Sequence, residues 1–185
     1  MGKITDTNIV GIEEGKFASI LGEAAEYIVT GILLKLGFDV SMTCLSGEPY
    51  DLSVKAFKST GEPVFLRCQV KVVSKGGSIK FKAGIRAGVD REYKSGVKEY
   101  KYTTEHNDLI IGFDRDTLDL YLIPTLFIKD WGDSKSVKLL RPLKNRWELL
   151  LNWEEEYLEK LRAELSGGSK LSKFFSWLFS LLVYD

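Results

Sequence analysis

Residues 49–73 read PYDLSVKAFKSTGEPVFLRCQVKVV, and they decide the fold. From Asp51 to Lys58 apolar and polar residues alternate, with Leu52, Val54 and Ala56 on one side. Ser59-Thr60-Gly61-Glu62-Pro63 supplies a hairpin-type loop. From Val64 to Val73 a second alternation sets Val64, Leu66, Cys68, Val70 and Val72 against Phe65, Arg67, Gln69, Lys71 and Val73. A period of two is the signature of a half-buried strand, so this stretch predicts two paired strands. Residues two apart share a face, so Gln69 and Lys71 project together. Asp51 opens the neighbouring strand, and the hairpin sets it beside them.

On the N-terminal side, Lys16–Leu36 follows a helical period. Phe17, Ile20, Ala24, Ile28 and Ile32 recur every three or four residues, and Leu21, Ala25 and Leu36 widen the stripe. Gly37 is placed to close the helix in a left-handed conformation. Gly22 and Gly31, each costing about 1 kcal/mol against Ala inside a helix, are read as points of close approach to a sheet. Phe38–Cys44 is a strand candidate ended by the turn Ser46-Gly47-Glu48-Pro49.

On the C-terminal side, Ser78–Ala83 predicts a further strand, and residues 84–105 a loop with short helical pieces. Asp108–Phe113 and Leu118–Ile123 predict strands joined tightly and antiparallel through Asp114-Arg115-Asp116-Thr117. Leu126–Ile128 reads as a helical turn, Val137–Leu140 as an edge strand, and Trp147–Leu165 as one amphipathic helix. The expected fold class is therefore α/β, a mixed central sheet of about five strands flanked by helices. Residues 1–165 form the expected domain, 166–169 (SGGS) a flexible joint, and 170–185 an apolar tail packing on the body or on a partner subunit.

The 185 residues, 44% hydrophobic and 28% charged, suit one globular domain and exclude fibrous or disordered classes. Two cysteines, Cys44 and Cys68, cannot staple a disulfide scaffold, and both are expected to be buried free thiols in a reducing compartment. No secretory leader and no uninterrupted apolar run of membrane-spanning length is read, so a cytoplasmic protein without a transmembrane segment is expected. The single histidine, His106, excludes a histidine-based metal cluster or a Ser-His-Asp relay within one chain, and a surface role is expected for it.

Net charge is +0, yet its distribution is uneven. Between Leu66 and Lys101 lie ten Lys/Arg against three acids, a local net of +7. A basic zone in a neutral protein fits a polyanion held against one face. The phosphate-contact candidates are Lys75, Lys80, Lys82, Arg86, Arg91, Tyr93, Lys94 and Lys98, with Tyr100 and Tyr102 interleaved among the basic residues.

The chemistry-bearing set is Glu23 and Glu26 on the first helix, Asp51, and Gln69-Val70-Lys71. A hard divalent cation takes oxygen ligands, which Asp51, the Gln69 amide and the Val70 carbonyl can supply. Lys71 is the natural cation beside a phosphate and an attacking water.

In order and spacing these residues resemble the PD-(D/E)xK phosphodiesterase superfamily of the restriction-endonuclease-like fold. The likeness is nearest to its QxK branch, which includes cyanobacterial group I intron homing endonucleases, and more distant to archaeal Holliday-junction resolvases. It runs through Gly22-Glu23-Ala24-Ala25-Glu26, Leu34–Val40, Pro49-Tyr50-Asp51-Leu52-Ser53-Val54, Gln69-Val70-Lys71, Asp108–Ile111 and Leu120–Pro124. Tyr50 interrupts the Pro-Asp pair, and Gln69 stands where the pattern usually has an acid.

The resemblance implies catalytic roles for Glu26, Asp51, Gln69 and Lys71. It also implies a Mg²⁺ site, with Mn²⁺ able to substitute, at Asp51, Gln69, Val70 and Glu26. The implied function is a metal-dependent endonuclease of double-stranded or branched DNA, homing-endonuclease-like, acting as a homo-oligomer because both strands must be cut. A resolvase or restriction-type enzyme is the alternative within that class. A catalytically inactive nuclease-fold DNA-binding module is the alternative outside it.

Overall fold

The computed structural model describes residues 8–44, 48–85 and 98–165. In chain order they form α1 (Glu14–Lys35), β1 (Val40–Met42), β2 (Leu52–Phe57), β3 (Pro63–Val72), β4 (Ser78–Lys80), β5 (Lys82–Ile85) and β6 (Lys98–Lys101). Then come β7 (Leu109–Phe113), β8 (Leu120–Pro124), β9 (Ser134–Ser136), α2 (Glu148–Leu151) and α3 (Glu155–Leu165), with 3-10 turns at Thr125–Asp130 and Arg141–Leu143.

The central sheet has five strands in the order β1-β2-β3-β7-β8. β3 and β7 run parallel, while every other neighbouring pair in it is antiparallel. The sheet is mixed and flanked by helices, a restriction-endonuclease-like α/β arrangement. Every residue of β7 and β8 is buried, as expected for strands covered on both faces. α1 adds Ala25, Val29 and Leu33 to the core.

α1 ends where the sequence places its end. Gly37 has φ +89°, its N–H bonds Leu34 O at 2.9 Å, and the Phe38 N–H reaches Leu33 O at 3.1 Å. That pair of bonds satisfies carbonyls the helix would otherwise leave open, and the positive φ favours glycine. α1 also has the length and composition of a membrane-crossing helix, although no uninterrupted apolar run of that length is present in the sequence. Its Ala25, Val29 and Leu33 are nonetheless buried in the core.

Several expectations are corrected. The strand expected over Ser78–Ala83 is two strands, because fully buried Phe81 intervenes. Its N–H bonds Asp133 O at 2.8 Å and its carbonyl accepts from Tyr102 N at 3.0 Å, so the chain changes partner there. β4 pairs with β9 and β5 with β6, in two small sheets outside the central one. Within 84–105, strand rather than helical pieces occupies Gly84–Ile85 and Lys98–Lys101. The edge strand falls on Ser134–Ser136, not Val137–Leu140, where backbone bonds back to Ser136 and Val137 make turns.

The helix expected over Trp147–Leu165 is two helices. The Trp153 N–H leaves the helical ladder to bond Phe57 O at 2.8 Å. Cys68 is buried as expected, but Cys44 is exposed, since it follows the end of β1. Gly22 and Gly31 do not mark close approach to the sheet: among the described residues a Cβ at either would meet nothing within 4 Å. The close approach is at Gly112 instead, where a Cβ would sit 2.2 Å from Ile79 Cδ1 and 3.3 Å from Tyr121 Cβ. The joint at 166–169 and the tail at 170–185 lie outside the described residues.

Candidate active site

The register of the β2–β3 hairpin builds the site. Leu52 pairs with Cys68, so Asp51, one residue before β2, lies opposite Gln69, and Asp51 N bonds Cys68 O at 2.9 Å. Asp51 Oδ2 accepts the Val70 N–H at 2.7 Å and a bond from Gln69 Nε2. The same Gln69 Nε2 reaches Val70 O at 3.3 Å. One amide NH₂ therefore stands between a carboxylate oxygen and a carbonyl oxygen. Gln69 is 8% exposed, so this polar cluster is largely shielded from water.

Lys71 follows one strand period on, level with Gly112 of β7. Its Nζ lies 5.0 Å from the centre of the Tyr102 ring, within cation–π range. Glu26 comes from α1. Burial, then Asp51, then Glu23 raise its carboxyl to about 7, while Lys71 opposes the rise. Burial also raises Asp51, against the lowering by the Val70 N–H, Lys71 and Gln69. Lys71 is lowered by burial and held up by Asp51 and Glu26. These couplings place Glu26, Asp51 and Lys71 near one another. Burial is the largest cause of all three shifts, so this is a place where charge is poorly hydrated.

The donor chemistry is the test of whether a divalent cation fits. The Asp51 carboxylate, the Val70 carbonyl, the Gln69 amide oxygen and the Glu26 carboxylate are all hard oxygen donors, the type that Mg²⁺ prefers. A cation would favour the ionised form of both acids, against the burial that raises them. The set holds only two carboxylates, and among the described residues no group of three or more His, Cys, Asp or Glu could hold a metal. The donors suit Mg²⁺ in kind, with the neutral Gln69 as the weakest member.

Other residues frame the site that the sequence reading did not select. Asn107 is fully buried; its Nδ2 donates to Pro49 O at 3.3 Å, and its Oδ1 accepts from Thr125 Oγ1 at 2.5 Å. It ties the turn bearing Asp51 to the end of β8. Arg67 grips Asp108 with Nε at 3.1 Å and Nη2 at 2.9 Å, and reaches the carbonyls of Thr104 and Glu105. This fork fixes the loop before β7.

Tyr102, expected among the nucleic-acid contacts, is 3% exposed beneath Lys71. Tyr100 packs edge-on against it, and His106 is half-buried with its ring 4.8 Å from that of Tyr100. His106 Nδ1 accepts the Thr103 N–H at 3.0 Å, so this histidine braces a turn rather than standing free at the surface.

Of the phosphate-contact candidates, Lys75 and Lys80 are exposed. Lys75 borders a cleft of about 310 Å³ with Ser74, Asp114, Arg115 and Asp116. Lys82 is paired with Asp133 at 2.6 Å. Lys98 lies in β6 opposite Ile85. Arg86, Arg91, Tyr93 and Lys94 lie outside the described residues.

Residues 19–160 match the family model described as PD-(D/E)XK endonuclease. The chain belongs to the PD-(D/E)XK endonuclease family. Among solved structures it is similar to a bacterial homing endonuclease, I-Ssp6803I, at 17% identity and a TM-score of 0.55, covering 72% of this chain and 92% of that one. At that identity the likeness concerns the fold alone. No curated protein matches the chain.

Proposed function

We propose that this PD-(D/E)XK protein is a Mg²⁺-dependent endonuclease that hydrolyses phosphodiester bonds in double-stranded or branched DNA, in the manner of a homing endonuclease. The observation that carries the reading is the charge pattern at the hairpin. Burial raises both Asp51 and Glu26, Asp51 adds to the rise of Glu26, and Lys71 of the central strand β3 interacts with both.

Asp51, the Val70 carbonyl, the Gln69 amide oxygen and Glu26 would hold the cation. When bound, it supplies Lewis-acid stabilisation of the phosphate and an acidified water. Lys71 places a positive charge where charge builds on the phosphoryl oxygens, and the Tyr102 ring keeps its ammonium in position. Without the cation, burial raises Glu26 to about 7, and a bound cation would favour its ionised form. Lys75 and Lys80 supply backbone attraction, which is strongly salt-dependent. The buried thiol of Cys68 suits a reducing compartment, so we assign the activity to the cytoplasm.

One observation favours a second reading. The Gln69 NH₂ already satisfies Asp51 Oδ2 and approaches Val70 O, as it would in a DNA-binding module that has given up hydrolysis. Incubation with supercoiled, linear and four-way-junction DNA, under Mg²⁺, Mn²⁺ and EDTA, separates the readings. Cleavage that needs the cation supports the enzyme, and the preferred substrate distinguishes a homing or restriction role from a resolvase. Tight binding with no cleavage of any substrate overturns it in favour of the binding module.

A further inference from the structure

A DNA strand carries a negative charge at every nucleotide, so a phosphate held at Lys71 brings others close on both sides of it. On one side the cation is Lys75, past the C-terminal end of β3. The parallel register sets Cys68 of β3 level with Leu109, the first residue of β7, so the other side lies toward the start of β7. Thr125 follows β8 at that end, and its N–H bonds Asp108 O at 2.9 Å. A cleft of about 450 Å³, within the range of ligand pockets, opens there beside Tyr102.

Lys101 and Lys129 line this cleft with Thr103 and Thr104, and no acidic residue among those described does. Asp130, next to Lys129, is committed to the Arg162 guanidinium. The Lys101 ammonium donates to Trp131 O, which holds it at the wall and leaves two of its three N–H groups for a ligand. Arg67 fixes the threonine rim by donating to the carbonyls of Thr104 at 2.7 Å and Glu105 at 2.8 Å. A rim already held loses little freedom on binding.

Two wall residues tie the cleft to the candidate active site. Tyr102 carries the Lys71 Nζ 5.0 Å from its ring centre. Thr125 donates to Asn107 Oδ1 at 2.5 Å, and Asn107 donates to Pro49 O in the turn before Asp51. Two ammonium groups among hydroxyls suit an anion with several oxygens, while Leu126 and Tyr102 add apolar surface suited to a sugar.

We propose that this cleft is a subsite for a flanking backbone phosphate and its deoxyribose, on the strand whose scissile phosphate lies at Lys71. Lys129 and Lys101 grip the phosphate, and Tyr102 and Leu126 face the sugar. Lys129 lies outside the basic run of residues 66–101, so the charge pattern of the sequence does not point to it. The place of the scissile phosphate rests on the DNA-cleaving reading, whereas the phosphate site itself needs only DNA binding.

Fluorescence anisotropy of the full chain with duplex DNA in EDTA, over a salt series, is the first arm of the test. Lys129→Ala should lower the salt slope by about one unit and Lys129→Glu should weaken binding about tenfold, while Lys160→Glu on α3 changes affinity less than about threefold. Lys129 and Lys160 are both exposed, so all three variants should melt with the wild type. The second arm is Mg²⁺-dependent single-turnover cleavage of DNA carrying one neutral methylphosphonate at successive linkages beside the cut. A position within about three linkages of the cut should slow the wild type about tenfold and slow Lys129→Ala no further. Unchanged affinity and slope in Lys129→Glu overturn the proposal. So does a methylphosphonate effect that persists at every position in Lys129→Ala, since Lys129 then supplies diffuse attraction only. Thymidine monophosphate that raises the wild-type melting temperature, while Lys129→Glu binds DNA normally, assigns the cleft to a free nucleotide and also overturns it. A wild type that binds DNA but cuts none refutes the nuclease reading alone, and an affinity loss in Lys129→Glu then still supports the phosphate site.

Discussion

Replacing Glu26 with Gln should make the protein more stable at pH 8 and leave it nearly unchanged at pH 5. In the fold, burial and Asp51 raise this carboxyl from 4.5 to about 7. The protonated form is therefore the one the folded state prefers. The stability it contributes is complete below about pH 4.5 and is lost as pH rises through about 7. At full strength that difference would be about 3 kcal/mol, but Glu26 is only partly buried, and solvent screening reduces it to about 1 kcal/mol. For a chain of this length, 1 kcal/mol moves the melting temperature by about 2–4 °C. The assay is thermal or urea unfolding of wild type and Glu26→Gln at pH 5 and pH 8 in EDTA. The wild type should lose stability relative to the variant between the two pH values. Asp51 is raised as well, so the difference between the two proteins, not the wild-type slope, isolates Glu26. Equal pH dependence in both would refute the buried setting of Glu26 near Asp51. Millimolar Mg²⁺ at pH 8 should narrow the gap, because a bound cation favours the ionised carboxylate.

Three further outcomes follow from the same geometry. Tyr102→Leu should reduce cleavage about tenfold, whereas Tyr102→Phe should retain it, because the ring face rather than the hydroxyl meets Lys71; single-turnover rates with unchanged gel-shift affinity check this. Gly112→Ala should destabilise by about 1–3 kcal/mol in urea titrations, since its Cβ would collide with Ile79 and crowd Tyr121 on β8. Asp51→Ala should leave metal-free DNA binding unchanged or slightly tighter in gel shifts, because a carboxylate facing the phosphate has gone.

The hairpin was legible because it is local. A period of two and a Gly-containing loop are written in consecutive residues, and they bring Asp51, Gln69 and Lys71 together without reference to the rest of the chain. Gly37 was legible for the same reason. What was not legible depends on distant partners. Phe81 breaks a strand because Asp133 and Tyr102 compete for its backbone, and Trp153 breaks a helix because Phe57 takes its N–H. Tyr102 looked like a solvent-facing aromatic in a basic run, and only tertiary packing shows it beneath Lys71. Asn107 carries no sequence signal, since its role lies in a bridge between Pro49 and Thr125. The helical period of α1 marked a stripe but not which side of it faced the sheet.

The most direct measurement is the Mg²⁺-dependent cleavage rate of wild type and Lys71→Ala on one DNA substrate, with gel-shift affinity at the same salt concentration. Removing the charge that meets the developing phosphoryl charge should cost about 10²–10³ in rate. Affinity should hardly change, because one phosphate contact among many alters the salt slope by only about one unit. A wild type that cuts only with Mg²⁺ or Mn²⁺, and a variant that binds equally well but cuts at least a hundredfold more slowly, is the expected result. Cleavage by Lys71→Ala at the wild-type rate would contradict the account.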